Sequence, residues 1–134
     1  MKKIAVASVL TISVIMFSAF VQNPKEASIK RGKEVYDNNC MSCHQENGEG
    51  IEGSFPPLAK SDYFQKDPKK IITVILKGLN EEIKVNGKTY NMMMPEQSYL
   101  SDEEIADVTN YVANSWGNKS KAIFTPAQVK AARK

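Results

Sequence analysis

The sequence predicts an all-α domain of three main helices joined by long irregular connections. Three segments carry apolar residues at helical spacing. Each of the three is bounded by residues that start or stop a helix. The stretches between them hold glycine and proline instead of sustained strand-like alternation. At 134 residues the chain is long enough for one compact domain and too short for two.

The chain begins Met1-Lys2-Lys3, and the 18 residues from Ile4 to Val21 carry no charge. A short basic start before an apolar stretch is an export signal. Small residues do not sit three apart at its end, since a cut after Ala19 puts Phe17 in the upstream specificity position. The stretch also meets the lower length limit for a membrane span. Residues 1–21 therefore read as an export signal or as an N-terminal membrane anchor, and both readings stay open. Either way the rest of the chain is expected in the periplasm or on the extracytoplasmic face of the membrane.

Residues 22–28 read as a linker. Ser28 is placed to cap the first helix, with Ile29, Gly32, Tyr36 and Cys40 on one face. Gln45 to Leu58 holds three glycines and the Pro56-Pro57 pair and reads as a loop. Asp67-Pro68 marks a second helix start and Gly78 its end. Ile71, Ile72, Val74, Ile75 and Leu76 make that helix too apolar to be exposed. Ile83 to Tyr90 alternates around Asn86-Gly87, a tight-turn signal, but is too short to build a sheet alone. Ser101 with Glu104 is a capping box. It opens a third helix with Ile105, Val108, Val112 and Trp116 on one face and Tyr111 flanking it. Thr125-Pro126 starts a short terminal helix.

Charge divides the chain. Gln22 to Trp116 holds 11 basic and 15 acidic residues, whereas Gly117 to Lys134 holds five basic residues and no acidic one. The basic balance thus comes from the two ends, which gives no support to nucleic-acid binding. Residues 119–134 read as a basic, solvated C-terminal tail. The connections are longer than a compact domain normally tolerates unless they wrap or bind something.

Cys40-Met41-Ser42-Cys43-His44 carries the chemistry. The C-x-x-C-H arrangement is read as attachment of a c-type haem. Two thiols separated by two residues on a helical turn can each reach one vinyl group of a porphyrin, and the following imidazole can then meet the iron. A disulfide between Cys40 and Cys43 would close too short a loop to stabilise the fold much. A thioredoxin-like pair would need a preceding strand in alternating strand and helix units. A zinc site would need about four ligands, and the chain holds two cysteines and one histidine. With a single histidine, His44, a second imidazole ligand within the chain is impossible. Methionine is the usual sixth ligand of electron-carrying cytochromes. Met41 lies inside the motif, which leaves Met92, Met93 and Met94, before Pro95.

From Ile29 to Asn118 the chain resembles a class I, monohaem cytochrome c of bacterial type. The resemblance implies the cytochrome c fold, with three main helices and long loops wrapping one covalently bound haem c held through Cys40 and Cys43. Gly32 and Tyr36 resemble the family's helix-contact positions, with Val108 and Tyr111 as counterparts. Phe55-Pro56-Pro57-Leu58 is similar to the family segment in which a proline carbonyl accepts a hydrogen bond from the axial histidine, a role the resemblance gives to Pro56. The run from Val85 to Pro95 resembles bacterial members in which the ligand precedes a proline, which points to Met94, with Met93 next. Leu100 to Asn118 looks like cytochrome domains that accompany oxidases and copper nitrite reductases.

The resulting expectation is a single-electron carrier in an extracytoplasmic respiratory chain, not an enzyme, with His44 and Met94 as axial ligands. Its partners are redox proteins (an oxidase, a reductase or a quinol-oxidising complex), with membrane association through the N-terminal segment if that is kept. Two other readings stand beside it: an electron-entry subunit of a membrane oxidase or of a reductase, and a haem enzyme or sensor with an open sixth position.

Overall fold

The computed structural model describes residues 23–134; the segment read as a signal or anchor, 1–21, lies outside them. Helix α1 (Pro24–Asn39) starts earlier than the sequence suggested. Asn23 caps it by accepting from the Lys25 amide at 3.0 Å. Pro24 follows at the first helical position, where its missing N–H is not needed. The expected linker at 22–28 is therefore mostly helix, and Ser28 is a buried residue inside α1 instead of its cap. Ser28, Gly32 and Tyr36, spaced four apart, form the buried stripe.

The order continues α2 (Met41–His44), α3 (Asp62–Lys66), α4 (Lys70–Lys77), β1 (Ile83–Val85), β2 (Lys88–Tyr90), α5 (Asp102–Val112) and α6 (Pro126–Ala132). Among the described residues there are thus six helices where three main ones and a short terminal one were expected. Strands β1 and β2 form an antiparallel pair with Ile83 opposite Tyr90. Asn86 and Gly87 both have positive φ, at 50° and 81°, as a two-residue hairpin turn of this hand requires. The hairpin is anchored where the Asn86 amide donates to Asp62 Oδ1 at 2.8 Å and the Asp62 amide donates to Asn86 Oδ1 at 3.0 Å. Among the described residues no helix is long and apolar enough to cross a membrane.

Helix α5 opens with the predicted capping box between Ser101 and Glu104. It packs on α1, and the contact centres on Gly32. A Cβ on Gly32 would lie 2.0 Å from the Asp107 carbonyl oxygen. Asp107 is 4% exposed, and a buried carboxylate needs partners. It accepts from Ser28 Oγ at 2.6 Å and from Arg31 Nε and Nη2 at 2.6 and 2.8 Å. Helix α5 ends at Val112, so Trp116 does not continue its apolar face as expected. Trp116 sits in a turn with φ 51° and packs on Tyr36 with ring centroids 4.9 Å apart.

The C-terminal residues correct a second expectation. The basic tail is not a solvated terminus. Phe124 is 4% exposed and Val129 is fully buried. Buried Asn110 binds the Phe124 backbone on both sides, donating to its carbonyl and accepting from its amide, each at 2.8 Å. Arg133 closes the end by donating to Asp102 Oδ1 at 2.6 Å and to the Ser98 carbonyl at 2.9 Å. Two apolar side chains and a few directed hydrogen bonds suffice to hold a segment whose composition is otherwise that of a charged surface.

Candidate haem-binding site

At Cys40 the backbone leaves the α1 geometry, with φ −120° and ψ −35°. Its carbonyl then accepts from the amides of Cys43 and His44 at 3.2 and 2.9 Å. The attachment motif is therefore a single helical turn, which sets side chains three apart as neighbours. Cys40, Cys43 and His44 all border one cavity, walled mainly by apolar side chains, as small-molecule and cofactor sites usually are. Both cysteines are free thiols. Burial, with the nearby Cys43, pushes the Cys40 thiol up to about 12, so it is held protonated at neutral pH.

The turn is held from behind. Tyr36, fully buried, donates from its hydroxyl to the Gln45 carbonyl at 2.6 Å. Its ring packs against both Tyr111 and Trp116, which also touch each other. Burial pushes the phenol upward from its usual range, so the hydroxyl remains a donor.

His44 is 8% exposed. Its Nδ1 lies 3.0 Å from the Pro56 carbonyl oxygen. A carbonyl only accepts, so Nδ1 carries the proton and Nε2 keeps its lone pair in the neutral ring. Burial pulls the imidazole below its ordinary range, opposed by the Pro56 hydrogen bond. The ring is thus a neutral base held in one tautomer, as metal-ligating histidines usually are. The loop that brings Pro56 to His44 depends on Gly50. Its amide donates to the His44 carbonyl at 3.0 Å, its φ is 65°, and an added Cβ would lie 2.3 Å from the Phe55 carbonyl oxygen and 2.8 Å from that of Pro56.

Met92, Met93 and Met94 all line the same cavity, but their surroundings differ. Met92 and Met93 are 52% and 58% exposed. Met94 is half-buried against the core. Its amide and carbonyl pair with those of Leu79, both at 2.9 Å. Gly78 makes that approach feasible: a Cβ there would lie 2.6 Å from the Met94 carbonyl oxygen, and its φ of 70° is one that glycine adopts freely. Met94 is thus the methionine whose backbone is fixed at the cavity.

Every residue singled out in the sequence for the site, Cys40, Cys43, His44, Pro56 and Met94, therefore borders one cavity. Sequence reasoning missed four contributors, among them Leu79, whose amide and carbonyl pair with those of Met94. Gly50 was only one of several loop glycines, and Gly78 only a helix stop. Ser61 carried no signal at all, although it lines the cavity and is 1% exposed.

The family model for cytochrome c matches residues 29–116. Cytochrome c-552 of Thermus thermophilus is 41% identical over 110 residues, covering 76% of this chain and 83% of that protein. The cytochrome c subunit of the quinone alcohol dehydrogenase of Gluconobacter oxydans is 33% identical over 104 residues, covering 76% of this chain and 22% of the subunit. The cbb3-type cytochrome c oxidase subunit CcoP of Azospirillum brasilense is 30% identical over 98 residues, covering 69% of this chain and 30% of the subunit. The family's cofactor is covalently bound haem c, and the residues fit it: a mainly apolar cavity bordered by two unpaired thiols and a neutral imidazole. The match covers most of the described fold and every element that builds the cavity wall, and so the chain belongs to the cytochrome c family, with haem c bound through Cys40 and Cys43.

Proposed function

We propose that this cytochrome c carries single electrons at the extracytoplasmic face of a membrane, with His44 and Met94 as the two protein ligands of the iron. The observation that carries the reading is the pairing of a buried, neutral His44, proton fixed on Nδ1 by Pro56, with a Met94 whose backbone is pinned to Leu79 at the same cavity. Bound haem supplies a one-electron ferric–ferrous couple. The chain's own residues set its environment. The imidazole is held in one orientation, so a change of charge at the metal does not require the ligand to move. A soft, neutral thioether favours the ferrous state. Apolar walls disfavour the additional positive charge of the ferric state. Both effects raise the potential. The basic start and apolar stretch of residues 1–21 support export.

The test is optical and electrochemical. Holoprotein should retain its pigment after extraction with acidified organic solvent, since the thioether bonds are covalent. Met94→Ala should lose the ferric absorption band of sulfur ligation, lower the midpoint potential and bind carbon monoxide readily when reduced. Met92→Ala and Met93→Ala should keep the band. Survival of the band in Met94→Ala refutes the ligand assignment. Rapid, complete carbon monoxide binding by the unaltered protein would instead favour a haem enzyme or sensor.

A second reading, an electron-entry subunit of a membrane oxidase or dehydrogenase, is favoured by one observation: relatives include proteins named as cytochrome subunits of such complexes. Stable co-purification with a larger redox complex under mild extraction would support it over a free carrier.

A further inference from the structure

One buried polar group in the cavity wall has no use within the fold. Ser61 is 1% exposed, and its Oγ has no hydrogen-bond partner among the described residues. It precedes α3 at the N-cap position, where a serine ordinarily bonds a backbone amide of the first turn. Ser61 makes no such bond. The residue lines the cavity that borders Cys40, Cys43 and His44. Leaving a buried hydroxyl unpaired is costly, and native proteins seldom do so without a partner supplied from elsewhere.

We propose that Ser61 Oγ–H donates a hydrogen bond to a propionate carboxylate of the bound haem. The inference rests on the reading that haem occupies this cavity. The periphery of a thioether-linked haem is hydrocarbon and sulfur except at its two carboxylates, so a carboxylate is the strong acceptor that the group brings. A lone water is a poor substitute. Water in a cavity needs two to four polar partners, and the wall is mainly apolar. The other hydroxyls in the lining, those of Tyr63 and Tyr90, are weak competitors for the role because neither residue is as deeply buried as Ser61. A donor on a buried carboxylate favours its ionised form. An ionised propionate stabilises ferric iron, so the midpoint potential falls with rising pH wherever the propionate loses its proton.

The charged and titratable groups around this position are few. Asp62 is engaged by the Asn86 amide and by Lys66. Lys60 precedes Ser61 and packs along Gly117. Tyr63 and Tyr90 contribute phenols to the same cavity lining. His44 is occupied by Pro56 and by its proposed role at the metal, and both cysteines are consumed by attachment.

The experiment measures midpoint potential against pH for holoprotein, Ser61→Ala and Ser61→Thr, with the vibrational signature of the propionates recorded for each. In Ser61→Ala the inflection in the potential profile should move upward by about one to two pH units, the equivalent of losing one hydrogen bond to a charged group. The propionate vibration should shift as well. Ser61→Thr keeps the hydroxyl and should return both readouts toward the original values. An unmoved inflection with an unmoved propionate vibration overturns the proposal. Loss of the sulfur-ligation band in Ser61→Ala also overturns it, because the hydroxyl would then be acting on the ligand side. Pigment that is not covalently held in the unaltered protein defeats the haem reading itself, which is a separate result from an unmoved inflection.

Discussion

Replacing Gly32 with alanine tests the helix contact on which the rest of the fold is hung. In the structure a Cβ at this position would lie 2.0 Å from the Asp107 carbonyl oxygen, 2.5 Å from its carbon and 2.9 Å from Tyr111 Cβ, against an ordinary contact of 3.4–4 Å. The offended atoms belong mostly to the backbone of α5 and cannot swing aside, so α1 must retreat by more than about 1 Å. Retreat would stretch the bonds from Ser28 and Arg31 to buried Asp107 and loosen Tyr36 from Tyr111 and Trp116. Overpacking of this kind costs about 1–3 kcal/mol. Weakened hydrogen bonds to a charged group add about 1.5 kcal/mol or more. Alanine returns about 1 kcal/mol of helix propensity. The net expectation is a loss of about 2–4 kcal/mol, and at roughly 4–8 °C per kcal/mol for a small domain the melting temperature falls by about 10 °C or more. Guanidinium and thermal unfolding of the holoprotein, followed by circular dichroism, would measure it, with exposed Lys30→Ala as the control expected to stay within about 0.5 kcal/mol. If Gly32→Ala matches or exceeds the unaltered protein, propensity has won and the close approach of α1 to α5 is not what the structure implies.

Three further perturbations address other parts of the fold. Val129→Ala should cost about 2 kcal/mol in chemical denaturation, from lost methyl burial and the cavity left behind; a solvated tail would give no measurable change. Asn110→Ala should cost roughly 2–4 kcal/mol, because it strands the Phe124 amide and carbonyl, and a protease should cut the C-terminal segment faster in that variant. Glu104 is held below its usual range by its hydrogen bonds to the Ser101 amide and hydroxyl. Its capping contribution is therefore complete above the unfolded value, about 4.3, and is lost as pH falls through the lower folded value. Glu104→Gln keeps the cap without the titration, so its stability should match the original at neutral pH and fall less in acid; an identical acid profile would refute the assignment.

Much of this architecture was legible from residues alone, and the reason is local. The Asn86-Gly87 hairpin, the Ser101–Glu104 capping box, the Gly78 stop and the Thr125-Pro126 start each depend on contacts within about four residues, and each is where the sequence put it. The attachment motif is equally local, a five-residue run whose spacing is its meaning. The errors fall where partners are distant. Ser28 looked like a cap because Ser is a good one, but Asn23 with Pro24 is a better start, and Asp107, 79 residues away, takes the Ser28 hydroxyl instead. The tail looked solvated because five of its residues are basic, and its two buried apolar side chains form no periodic signal.

The same distinction explains why the cavity wall was read so incompletely. Cysteine, histidine and methionine announce themselves by chemistry, whatever surrounds them. The residues that fix them do not. Pro56, which only its likeness to a family segment marked out, holds His44 through a backbone carbonyl that any residue possesses, while the unforeseen Leu79 holds Met94 through its amide and carbonyl, and Gly50 and Gly78 contribute the absence of a side chain. None of these acts through a distinctive functional group. What distinguishes them is position on a folded backbone, 12 residues from His44 in the case of Pro56. A ligand is identified by what it is, and its support by where the fold places it. For this chain, then, substitutions at Gly50 or Gly78 should disturb the haem environment as surely as substitutions at the ligands, though neither glycine can touch the iron.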